Sequence, residues 1–177
     1  IKFTNYESDF NGKIKEFKFL NTIYISDEYL KKKYSIIINN IIPLNVLFIN
    51  TSTETKTRCK MISGKIQNLN ITKKTFTTQT IFCNFKVPAT IKLIDCDLRN
   101  CIFQKSFNEK LEDITLKGCV IKMEQLNKIF NESSKIINIT INITKIKKPI
   151  GRIIDRSLNI NKLNYMKKLE IIHCTND

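Results

Sequence analysis

Leu111-Glu112-Asp113-Ile114-Thr115-Leu116-Lys117-Gly118-Cys119-Val120-Ile121 is the stretch whose reading decides the fold. Apolar side chains stand at Leu111, Ile114, Leu116 and Ile121, with Cys119 between the last two. In an extended chain Ile114 and Leu116 point to one face and Thr115 to the other. One such strand cannot bury its apolar face alone. The stretch from Pro88 to Leu98 repeats the order, with Cys96 in the place of Cys119, and so does Ile136 to Ile146, with Thr144 there.

The first six positions recur along most of the chain. They read Leu20-x-x-Ile23-x-Ile25, Leu44-x-x-Leu47-x-Ile49, Ile66-x-x-Leu69-x-Ile71 and, at the far end, Met166-x-x-Leu169-x-Ile171. The middle residues Ile23, Leu47, Leu69, Ile91, Ile114, Ile139 and Leu169 step by 24, 22, 22, 23, 25 and 30. A fixed period in the twenties predicts a solenoid, in which stacked copies of one unit share a continuous core. The last, longer step predicts an insertion near Lys147-Lys148-Pro149-Ile150-Gly151.

The full unit resembles the leucine-rich-repeat family, whose consensus is L-x-x-L-x-L-x-x-N/C-x-L. Cys96, Cys119 and Cys174 occupy its Asn/Cys position, while Glu28 and Lys74 depart from it, and Glu54 departs from the apolar position that follows. The resemblance implies an α/β fold: a curved horseshoe arc of about seven repeats, with a parallel β-sheet on the concave face and helices or irregular turns on the convex face. The expected organisation is one domain over 1–177, with a capping segment at 1–19, repeats over 20–174 and the insertion near 147–160. Leu30, Tyr34 and Ile37/Ile38 form one stripe at helical spacing, and Ile121, Leu126, Ile129 and Phe130 another, so helices are expected there.

The repeat register assigns side chains to the concave face in three columns. The first holds Thr22, Val46, Asn68, Thr90, Asp113, Asn138 and Lys168; the third holds Ser26, Asn50, Thr72, Ile94, Lys117, Asn142 and Ile172. The second, Tyr24, Phe48, Asn70, Lys92, Thr115, Thr140 and Glu170, is the candidate binding row. Tyr24 and Phe48 are its neighbouring aromatics, the residue type that anchors protein interfaces. The alternative is that Phe3, Tyr6, Phe10, Phe17 and Phe19 of the capping segment fold over and cover that pair.

The chain carries 30 Lys and Arg against 16 Asp and Glu, a net charge of +14. The three columns contain three Lys, one Asp and one Glu, so the excess is expected on the convex side, the edges and the termini. The clusters are Lys31-Lys32-Lys33, Lys56-x-Arg58-x-Lys60 and Lys145-x-Lys147-Lys148. Surface charge of this kind is ordinarily solvated, and its sharper use is weak contact with an anionic surface.

Six cysteines permit disulfides in an oxidising compartment, and a Cys83–Cys101 bridge is one pairing the spacing allows. The ladder cysteines are expected to be buried free thiols. The lone histidine, His173, and the absence of C-x-x-C spacing give no metal site, and no cofactor fingerprint is present. His173 and Cys174 are adjacent on a strand and so point to opposite faces, which separates base from nucleophile. Sequons begin at Asn50, Asn70, Asn131, Asn138 and Asn142; Asn131, on an expected convex loop, is the candidate glycosylation site.

These features predict a non-enzymatic protein-recognition module with a protein partner. The Asn-, Ile- and Lys-rich usage is that of AT-rich coding, and Ile1 rather than Met opens the chain. The expectation is therefore a secreted, host-exposed effector of a parasitic eukaryote. The alternative is a cytoplasmic scaffold whose basic convex patches bind RNA or an acidic membrane surface. An open C-terminal end with Ile171 would also allow an end-to-end homodimer.

Overall fold

In the computed structural model the described residues are 2–3, 13–15, 21–26, 35–39, 43–49, 56–132, 135–147 and 168–171. The unbroken stretch 56–132 contains about three turns of a parallel-strand β-solenoid, mostly sheet with few helices. The large sheet extends past it on both sides. Its order is β1 (Lys2–Phe3), β3 (Thr22–Ser26), β5 (Leu44–Ile49), β8 (Ile66–Thr72), β11 (Ala89–Ile94), β13 (Leu111–Lys122), β14 (Asn138–Lys147) and β15 (Lys168–Ile171). Every pairing in it is parallel. The quoted motifs fall on these strands because each supplies β-branched or leucine side chains at alternate positions.

The return half of the coil forms a second parallel sheet, ordered β12 (Cys101–Phe103), β10 (Thr80–Phe85), β7 (Met61–Gly64), β4 (Ser35–Asn39) and β2 (Lys13–Lys15). A narrow third strip joins the two. It consists of β6 (Lys56–Thr57) paired with β9 (Thr75–Phe76), continued coil by coil by the bridges Thr75–Asp97 and Asp97–Val120. One coil thus runs from β8 through β9 and β10 to β11. At the corner leaving the large sheet, Lys73, Asp95 and Gly118 adopt φ of 53°, 52° and 64°, one residue before Lys74, Cys96 and Cys119. This left-handed kink turns the chain so that the next side chain points inward.

The expectation of helices or irregular turns on the convex side is corrected here: the return half is mostly sheet. Ile37 and Ile38 belong to strand β4, while Leu30 and Tyr34 lie outside the described residues. The run Ile36-Ile37-Ile38 is β-branched throughout, and that chemistry outweighs a sparse helical spacing. The described helices are α1 (Lys105–Asn108) and α2 (Met123–Glu132). Of the second stripe, Leu126, Ile129 and Phe130 are buried on α2, whereas Ile121 belongs to strand β13. The two described pieces of the 1–19 segment, β1 and β2, continue the large and second sheets respectively.

The core lies between the sheets. Ile23, Val46, Leu69, Ile91 and Ile114 stack from the large sheet, and Ile36, Ile62, Phe82 and Phe103 face them from the second. Phe76, Phe82, Phe85, Phe103 and Phe107 form one connected aromatic cluster in this core; ring centroids of Phe82 and Phe103 lie 5.0 Å apart, and those of Phe85 and Phe107 4.8 Å apart. Gly64, at φ 106°, packs so closely on β4 that a Cβ there would stand 2.1 Å from the Ile38 carbonyl oxygen. Only glycine fits that position.

Candidate functional site

The outward face of the large sheet is set by strand register. Asn68, Thr90, Asp113, Asn138 and Lys168 are consecutive partners, as are Asn70, Lys92, Thr115, Thr140 and Glu170. In this part the columns fall where the repeat put them. At β5 they do not. Asn45 pairs with Thr22 and Asn68, and Leu47 pairs with Tyr24 and Asn70. Val46 and Phe48 point inward and are 0% and 5% exposed.

Phe48 is therefore a core residue, and the aromatic pair proposed from sequence does not exist on the surface. The physical cause is that β5 is apolar in both phases, so Leu47/Ile49 and Val46/Phe48 fit the motif equally. One residue fewer lies between the paired Leu44–Ile66 and Asn45–Asn68 on β5 than on β8, which sets the phase. A signal was present: with Val46 as the middle residue the first two steps become 23 and 23 in place of 24 and 22. The corrected row runs Tyr24, Leu47, Asn70, Lys92, Thr115, Thr140, Glu170. Tyr24 is 39% exposed and is the only exposed large apolar side chain among the described residues.

The first column is bonded to itself. Asn45 donates Nδ2 to Asn21 Oδ1 at 2.5 Å, and Asn68 donates Nδ2 to Asn45 Oδ1 at 2.7 Å. Farther along, the Asp113 carboxylate accepts from Thr90 Oγ1 at 3.4 Å and from Asn138 Nδ2. Repetition at one coil per strand spacing lets each amide reach its neighbour, so this column stiffens the sheet and leaves fewer free donors for a ligand.

Inside the corner, Cys96 and Cys119 occupy the ladder position as buried free thiols, as expected. Cys119 Sγ–H donates back to the Leu93 carbonyl of the preceding coil at 3.2 Å, while Cys96 Sγ lies 3.2 Å from the Ile94 carbonyl of its own strand and 3.5 Å from the Ile71 carbonyl of the preceding coil. The hydrogen bond with Cys119, then burial, raises the Cys96 pKa. Burial pushes the Cys59 thiol up to about 12 and raises that of Cys101. Cys59, Cys96 and Cys101 are therefore poor nucleophiles at neutral pH, whereas the same hydrogen bond with Cys96 lowers the Cys119 pKa. The Cys83–Cys101 bridge is not formed; both thiols are free, and register places Cys101 beside Thr80, three residues from Cys83. Cys174 and His173 lie outside the described residues.

Lys74, at the same ladder position one coil earlier, is fully buried. Burial lowers its pKa to about 8. Asn131 sits in α2 rather than on a loop, and its amide oxygen is buried, so the sequon is less open than a convex loop would make it.

The third strip carries a different chemistry. Lys56, Arg58 and Lys60 are exposed and alternate with buried Thr57 and Cys59. Two coils away Arg99 is exposed, with Nε and Nη2 bonded to Asp97 at 2.9 and 2.5 Å. Burial raises the Asp97 pKa, but hydrogen bonds and charge from Arg99 outweigh it and hold the carboxyl below its ordinary range. Beside them a cleft of about 470 Å³ opens between the edge of β12 and helix α2. Gln125 closes its inner wall, donating Nε2 to the Leu98 and Cys101 carbonyls and accepting from the Lys122 backbone N–H at 2.8 Å. Arg99, Lys122 and Lys128 line it, with Glu124 3.9 Å from Lys122. The Lys31–Lys33 cluster and Lys148 lie outside the described residues.

Among the described residues no group of three or more His, Cys, Asp or Glu is placed to hold a metal ion. No described helix is long and apolar enough to cross a membrane. Comparison with known protein families, curated proteins and solved structures finds no match.

Proposed function

We propose that the chain is a leucine-rich-repeat-type solenoid of seven repeats that acts as a non-enzymatic protein-recognition module. The ladder thiols favour the repeat type: Cys119 donates to a carbonyl of the coil before and Cys96 lies within reach of one, which is the work the Asn/Cys position of the consensus has to do. The recognition surface is the outward face of the large sheet, and the partner is a protein. Its anchor is Tyr24 beside Leu47, the observation that carries the reading: a 39% exposed tyrosine next to a half-buried leucine on adjacent strands. Such a pair offers apolar area at low conformational cost. The polar remainder of the row supplies hydrogen bonds around it. A secreted, host-exposed role is part of the proposal and rests on composition.

The test is affinity capture from host extract with the wild-type chain and a Tyr24→Ala/Leu47→Ala variant, after circular dichroism has shown the same fold for both. The expected result is a protein recovered by the wild type and lost by the variant. Equal recovery of every partner by both would remove Tyr24 and Leu47 as anchors.

A further inference from the structure

Along the third strip of the coil the exposed charged side chains are predominantly basic. On the third strip Thr57 and Phe76 are partners, as are Asp97 and Val120. One residue beyond the first pair stand Arg58 and Thr77, and two beyond the second stand Arg99 and Lys122, all exposed. Adjacent coils are about 4.8 Å apart, so these side chains form a short row rather than a scatter. With Lys56, Lys60 and Lys128 the face holds six cations against Asp97 and Glu124, a net of +4. The first two columns of the large sheet's described side chains, by contrast, balance Lys92 against Asp113.

The row ends in the cleft between β12 and α2. Its volume of about 470 Å³ is that of a small-ligand site. Asp97 holds the Arg99 guanidinium by Nε and Nη2, which fixes the group and leaves the Nη1 amino group for another acceptor. Lys122 and Lys128 stand on the α2 side of the opening. Gln125 forms the inner wall and is held there by the Leu98 and Cys101 carbonyls, so this side of the cleft is fixed before any ligand arrives. No exposed aromatic lies on this face, because the exposed large apolar side chain among the described residues is Tyr24 on the large sheet. Without a stacking platform the face suits phosphate charge rather than unpaired bases.

We propose that the cleft is a binding site for a compact polyphosphorylated group, held by Arg99, Lys122 and Lys128, with Arg58 and Lys60 adding long-range attraction. Glu124 is the counter-charge that such a ligand displaces from Lys122. This site is independent of the protein-recognition face.

Titration calorimetry with inositol hexakisphosphate at 0.15 M salt tests the proposal, with vesicles carrying a polyphosphorylated inositol lipid in a neutral background as the second arm. Saturable binding to the soluble probe is expected. Binding to vesicles as well, competed by the soluble probe, would mark a headgroup as the source; binding to the soluble probe alone would mark a free metabolite. Lys122→Gln/Lys128→Gln is expected to weaken binding about tenfold or more without a change in melting temperature. Glu124→Gln should tighten it. A control, Lys92→Gln/Lys117→Gln on the large sheet, should leave it unchanged. The proposal is overturned if the wild type binds neither probe, if the control weakens binding as much as the cleft variant, or if a single-stranded RNA binds more tightly than the soluble probe at the same residues.

Discussion

The large sheet and the return half of the coil face each other across one core but follow different rules. Strands of the large sheet align nearly one-to-one from β8 to β15, because each inward pair must meet the same pair on the next coil. The return half only has to fill the remaining width and bring the chain back. It does so with strands in β4, β7, β10 and β12, and with helix α2 one coil later. Spacing registers the exchange: Leu69 to Ile91 takes 22 residues through β10, whereas Ile114 to Ile139 takes 25 through α2. A helix rises about 1.5 Å per residue against about 3.3 Å for a strand, so crossing the same width takes more of it.

The sharpest way to break this contrast is at β5, where the phase of the regular side is decided. Phe48→Ala should cost about 4 kcal/mol, the loss for a buried aromatic, while Leu47→Ala should cost under about 1 kcal/mol. Urea unfolding of both variants checks the pair. Similar losses, or a larger loss at Leu47, would mean that β5 sits in the opposite phase.

On the return half the corresponding strict position is Gly64. Gly64→Ala should destabilise by about 3 kcal/mol or more, since the new methyl meets backbone and the φ of 106° is strained for any L side chain. A melting temperature within a degree or two of wild type would show that β4 and β7 are freer to separate than their packing indicates.

A smaller effect belongs to the corner that joins the two halves. The folded Lys74 pKa of about 8 lies below the ordinary value near 10.4. Between these the unfolded chain binds more protons, so stability rises as pH climbs from about 8 to about 10.4 and this group adds no slope below that window. The rise should amount to no more than about 3 kcal/mol and should vanish in Lys74→Met. Denaturant midpoints at several alkaline pH values measure it, and identical slopes in both proteins would locate the titration elsewhere.

Much of the solenoid was legible before any coordinates. Cys96 and Cys119 follow their motifs at a constant distance and sit where that distance puts them, inside the corner. The outward residues from Asn68 onward were legible for the same reason: alternation on a strand with one apolar phase has one solution. Phe48 was not, because both phases of β5 are apolar. Ile37 and Ile38 were not, because three successive isoleucines satisfy a helical stripe and a strand alike. The cleft was invisible, since Arg99, Lys122 and Lys128 are separated in the chain and meet only when coils stack.

By itself, then, the order of residues determined that this chain repeats, that each repeat contributes a parallel strand, and which side chains of the clear motifs face the core. These follow from periodicity, which is local. Tertiary structure alone decided the phase of β5, the sheet on the return side and the gathering of cations along the third strip. Each depends on which residues of different coils become neighbours, and that is set by the packing of one coil on the next.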